Sequence, residues 1–75
     1  MAKLPIISGE RLLRALKRAG FVELRQKGSH VALEKRTPDK VYRTVVPLHD
    51  SLAKGTLTDI FKQAGLTREQ LLELL

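Results

Sequence analysis

Two short breaks, Lys27-Gly28-Ser29 and Thr37-Pro38-Asp39-Lys40, do most to limit what this chain can become. They cut residues 21–46 into three runs too short for helices. Phe21 to Gln26 is crowded with apolar residues, including Phe and Val, and suggests a strand. His30 to Lys35 alternates, with Val31 and Leu33 on one face and His30, Ala32 and Glu34 on the other. Val41 to Val46 is β-branched and aromatic, and Pro47 ends it because proline brings no N–H to a ladder. Consecutive strands joined by short turns form an antiparallel meander.

Helical spacing flanks the meander on both sides. Ser8 caps a helix whose Leu12, Ala15, Leu16 and Ala19 share one face, with Leu13 widening it and Arg11, Arg14, Lys17 and Arg18 toward water. Gly20 stops this helix. After a polar link, Thr56 is expected to cap a second helix through Leu57, Ile60, Phe61 and Ala64, with Asp59 favouring its N-terminus and Gly65 closing it. Thr67, with Gln70 three residues on, caps a short last helix carrying Leu71, Leu72, Leu74 and Leu75, expected to pack on the core. The expected fold class is α+β: an αβββα order, a three-stranded antiparallel sheet, both main helices on one face and a short extra C-terminal helix. One domain over 1–75 is expected, since 75 residues bury only a thin core.

Composition removes several function classes. A hydrophobic content of 43% supports a globular core, and the absence of cysteine excludes disulfides and thiolate-held metals. No apolar run is long enough to span a membrane, and Met1 to Gly9 lacks the apolar stretch of a secretory signal, so a soluble, cytoplasmic protein is expected. Two histidines and scattered aspartates give no metal-ligand spacing, no glycine-rich phosphate loop follows a strand, and no cofactor is expected. A Ser-His-Asp triad assembled from Ser29 or Ser51 has no support in the spacing. Charge points the other way. The net charge is +6, and residues 1–43 hold eleven basic against four acidic side chains, a polarity that suits a polyanion such as nucleic acid or an acidic protein.

What remains is Gly28-Ser29-His30, flanked by Arg25 and Lys27. Imidazole moves protons near neutral pH, and a glycine turn beside it lets a ligand approach closely. If Val31 and Leu33 face the helices, His30 points away from the core. The plain alternative is a surface histidine ending a hairpin. RNA is a substrate for which so small a kit suffices, because its 2′-OH is a built-in nucleophile and needs only a general base and acid. Lys27, Lys35 and Lys54 are candidate phosphate contacts, or simply solvated lysines. Pairing strands two and three about Pro38 sets His30 opposite positions near 46, so His49 lies at the same end of the sheet. A curled link there would make His49 a partner of His30; otherwise it hydrogen-bonds a loop.

Taken together, Ala19-Gly20-Phe21, Lys27-Gly28-Ser29-His30, Val46-Pro47-Leu48-His49, Lys54-Gly55-Thr56-Leu57 and Ile60 through Leu66 resemble, in order and spacing, the HicA family of toxins from toxin–antitoxin systems, over roughly Ser8 to Leu75. The resemblance implies a fold like a double-stranded-RNA-binding domain. It also implies an mRNA interferase: an endoribonuclease that works without a metal and is held inactive by a HicB-type antitoxin. His30 corresponds to the family's catalytic histidine and Gly28 to its turn glycine; His49, Ser29 and Lys54 receive no role from it. With the residue reading beside it, the expected RNA-contacting set is Lys27, Gly28, Ser29, Lys35 and Lys54 around a catalytic His30, with mRNA as substrate and no membrane partner. Two other readings stay open on the residues alone. One is a non-catalytic RNA-binding module on this fold, and the other a protein-interaction domain with a basic docking face.

Overall fold

The computed structural model describes residues 5–75. Its elements run α1 (Gly9–Arg18), β1 (Val22–Lys27), β2 (His30–Arg36), β3 (Val41–Pro47), α2 (Lys54–Gln63) and α3 (Arg68–Leu74). The sheet is antiparallel in the order β1-β2-β3, the meander that the two turns dictate.

The helix ends follow from local chemistry. Ser8 accepts a hydrogen bond from the Arg11 N–H at 3.1 Å and starts α1. Gly20 and Gly65, at φ 102° and 70°, end α1 and α2. In each case the next residue's N–H reaches back five positions, Phe21 to Leu16 and Leu66 to Phe61, satisfying carbonyls that the helix leaves unpaired. Gly65 has a second reason to be glycine, since a methyl there would overlap the ring of Tyr42. The Lys40 ammonium also lies over that ring, 5.1 Å from its centroid. Thr67 and Gln70 form the expected capping box of α3.

α2 differs from expectation at its start. It begins at Lys54 on an Ala53 N-cap that makes no side-chain hydrogen bond, so Thr56 lies inside the first turn. Asp59 falls in the helix body, and no acidic residue occupies the first turn. Burial of Leu57, Ile60 and Phe61 holds this helix in place without a polar cap.

One core joins these elements. Leu12 and Leu16 of α1, Val31 and Leu33 of β2, Val46 of β3 and Leu57 of α2 are all essentially fully buried. Leu71 brings α3 into the same core, as expected of the leucine-rich tail, and α3 packs against α1. The Arg18 guanidinium, at the end of α1, donates from Nε (3.1 Å) and Nη2 to the Leu74 carbonyl, placing a cation at the C-terminus of α3. β1 is exposed along its length and irregular between Glu23 and Arg25, an extra residue of the kind that twists and protects an edge strand. A Lys17–Glu23 ion pair of 3.0 Å ties it to α1.

Candidate active site

Strand parity places His30. Val31, Leu33, Thr44 and Val46 point into the core, so their neighbours along β2 and β3 form the uncovered face of the sheet. Three rows of that face follow from the register: Lys27, His30 and Pro47; then Arg25, Ala32 and Val45; then Val22, Glu34 and Arg43. The second pairing puts His30 opposite Pro47, one residue beyond the position expected. Pro47 stays in register because β3 is an edge strand, where a missing N–H costs no ladder bond.

Gly28 and Ser29 join Lys27 to His30 as a two-residue turn. Gly28 has φ 60° and Ser29 a negative φ, the pattern of a II′ hairpin turn. The Gln26 side-chain amide donates to the Gly28 carbonyl at 3.0 Å and braces the turn. The space where a Gly28 side chain would stand is open. Below the turn lies a shallow pocket of about 180 Å³, lined by Arg25, Lys27, His30, Ala32 and Val45. His30 thus stands beside two cations on an apolar floor.

The link after β3 curls back and brings His49 to this point. Its ring lies edge-on to that of His30, with centroids 6.5 Å apart and planes at 76°. Two backbone bonds hold the link: Leu48 N–H donates to the Ser29 carbonyl at 2.6 Å, and Gly9 N–H donates to the His49 carbonyl at 2.9 Å. Gly9 is buried under this link, and a methyl on it would overlap the Pro47 carbonyl oxygen. A glycine at the start of α1 therefore decides where His49 sits. Nothing local marks it, because the contact comes from the far side of the sheet in sequence.

The remaining sequence candidates separate. Lys35 points to the opposite face, its aliphatic chain near Gly20, and is not part of the His30 group. Lys54 is exposed as the first residue of α2. Three residues that sequence reasoning missed stand further along the same face, Glu34 and Arg43 two rows from His30 and Arg36 three. Glu34 accepts from Arg36 Nε at 2.7 Å and from Arg43 Nε at 2.8 Å. The hydrogen bond from Arg36, then that from Arg43, holds the Glu34 carboxyl below the usual carboxylate range, and Glu34 in turn raises the Arg36 guanidinium. A second hollow, of about 790 Å³, shares Arg25, Ala32 and Val45 with the pocket at His30 and runs past Arg43 to Thr56 and Ile60 of α2; no histidine lines it.

A family model described as the HicA toxin of bacterial toxin–antitoxin systems matches residues 9–66. No curated protein matches the chain. The matched span opens on Gly9, contains the three strands, both histidines and α2, and stops before α3. No helix among the described residues is long and apolar enough to cross a membrane. The chain belongs to the HicA toxin family of bacterial toxin–antitoxin systems, and an antitoxin is its implied partner.

Proposed function

We propose that this toxin is a metal-independent endoribonuclease, an mRNA interferase, with His30 and His49 as its general acid–base pair. The observation that supports it is the pairing of two imidazoles, 6.5 Å apart, on an open and basic sheet face. One imidazole takes the proton from a ribose 2′-OH. The 2′-oxygen attacks the adjacent phosphorus, and the 5′-oxygen leaves with a proton from the other, protonated imidazole. The products are a 2′,3′-cyclic phosphate and a free 5′-OH. Lys27 and Arg25 offset the charge that builds on the phosphate. The open space beside Gly28 and Ser29 admits the strand, and Lys54 is an outlying contact. Lys35, on the other face, is left outside the site. The working place is the cytoplasm, where mRNA is found. A HicB-type antitoxin of acidic character would neutralise the toxin by covering the same face, whose exposed Val22 and Val45 stand among the cations.

The test is incubation of the protein with end-labelled RNA in EDTA, beside His30→Ala and His49→Ala. The wild-type protein should leave 2′,3′-cyclic phosphate ends, and His30→Ala should slow cleavage by about 10²–10⁴-fold. Single-stranded DNA of the same sequence should bind and stay intact, and cutting it would sink this mechanism. RNA shifted on a gel but never cut by any of the three proteins would make this a binding module.

A further inference from the structure

The uncovered face carries a second basic group that the chemistry at His30 does not use. Glu34 is only 8% exposed although no helix covers it. Arg36, from its own strand, and Arg43, from β3, each close over one carboxylate oxygen through Nε. Both arginine side chains are otherwise in water, at 73% and 69% exposure, and their Nη groups make no other hydrogen bond among the described residues. A guanidinium held by Nε leaves its Nη donors free toward solvent, and that end can meet a phosphate with two parallel hydrogen bonds. The cost of ordering two long side chains is already met in the free protein, so an arriving anion orders little more.

The position is as telling as the chemistry. Glu34 lies four residues along β2 from His30, about 13 Å at the rise of a strand. Both sets of cations lie on one face of the sheet, Arg25 and Lys27 on β1 and Arg36 and Arg43 on β2 and β3, with the apolar Ala32 and Val45 between them. A linear polyanion with spaced charges and flat, less polar bases fits that alternation. We propose that Arg36 and Arg43, oriented by Glu34, form a phosphate subsite for the RNA strand, taking a backbone phosphate beyond the immediate neighbours of the one cleaved at His30. This subsite deepens the ribonuclease reading and rests on it.

Binding is measured in a His30→Ala background, so that nothing is cut, with a fluorescein-labelled mixed-sequence oligoribonucleotide and with dinucleoside monophosphates. Arg36→Gln and Arg43→Gln should each weaken the oligonucleotide about tenfold in Kd. The salt slope of log Kd should fall by about 0.7 for each phosphate that is no longer neutralised. The dinucleosides, which reach only the His30 row, should lose much less. Glu34→Gln separates a built subsite from simple attraction: it removes a negative charge, yet it should weaken the oligonucleotide because the two arginines lose their anchor. Unchanged affinity in both arginine variants, equal loss on the dinucleosides, or tighter binding by Glu34→Gln would each overturn the subsite. So would variants that keep RNA affinity and lose affinity for an acidic antitoxin, since the group would then serve the protein partner. Thermal melts establish that each variant is folded, and the two exposed arginine variants carry the test if Glu34→Gln is not. Cleavage by the unsubstituted protein is scored separately; its absence removes the ribonuclease reading and leaves the binding result standing.

Discussion

On one face of the sheet Val31, Leu33 and Val46 are closed over by helices; on the other, a residue away along the same strands, His30 and Val45 stand in the open beside a half-buried Ala32. The two faces are built by different physics. Removal of apolar area from water organises the covered face, and any side chain of suitable size and shape serves it. The open face is organised by position: which cations share a row with His30, and what brings His49 beside it. A substitution on the first face should change how much protein is folded. One on the second should change what the folded protein does.

The largest expected effect lies on the covered side. Leu16→Ala, at a fully buried position, should lower stability by about 2–5 kcal/mol in denaturant titration. Val45→Ala, at a site 48% exposed on the open face, should cost less than about 1 kcal/mol. Comparable losses for the two would mean that the open face is covered in solution. Gly9→Ala tests the link between the faces. Its methyl has no room under Pro47, so stability should fall by about 1–3 kcal/mol, and RNA cleavage should drop about tenfold or more as His49 moves. Gly55→Ala, with open space for a methyl inside α2, should be neutral to stabilising and leave cleavage intact. Loss of activity in both variants would point to general sensitivity of the fold.

The smallest effect concerns acid. Arg36 and Arg43 depress the Glu34 carboxyl, so the stability that it contributes is present above the ordinary carboxylate range and is lost as pH falls through its lowered folded value. Melting temperatures of wild type and Glu34→Gln should therefore differ near neutrality and converge as the pH falls below about 4. A gap that widens toward acid would reverse the assigned direction.

How much could be read in advance divides along similar lines. α1, the three strands, both turns and the α3 capping box were legible because their signals are local: a cap, a period, a glycine at the right place. The start of α2 was not. Thr56 looks like a cap and Lys54-Gly55 like a loop, whereas burial of Leu57 draws the helix back to a capless Ala53. His30 was legible from strand parity and the glycine turn, and His49 only as a residue at the same end of the sheet. Its approach depends on Gly9, which bonds the His49 carbonyl, and on Ser29, which bonds the Leu48 N–H beside it, backbone contacts that no sequence pattern encodes. The Glu34 group was hidden for a related reason: Arg36 follows from strand parity, but Arg43 joins it only once the β2–β3 register is known.

Tyr42 is the chain's single tyrosine, and there is no tryptophan. In contact with Gly65 and Lys40 on the helix-side face, at the far end of β2 from His30, it is a built-in optical probe. Its emission should change when the corner between α2 and α3 opens and stay silent when a ligand settles over the histidines. Unfolding and occupancy can thus be followed in one sample, the first by ultraviolet fluorescence and the second by a dye on the nucleic acid.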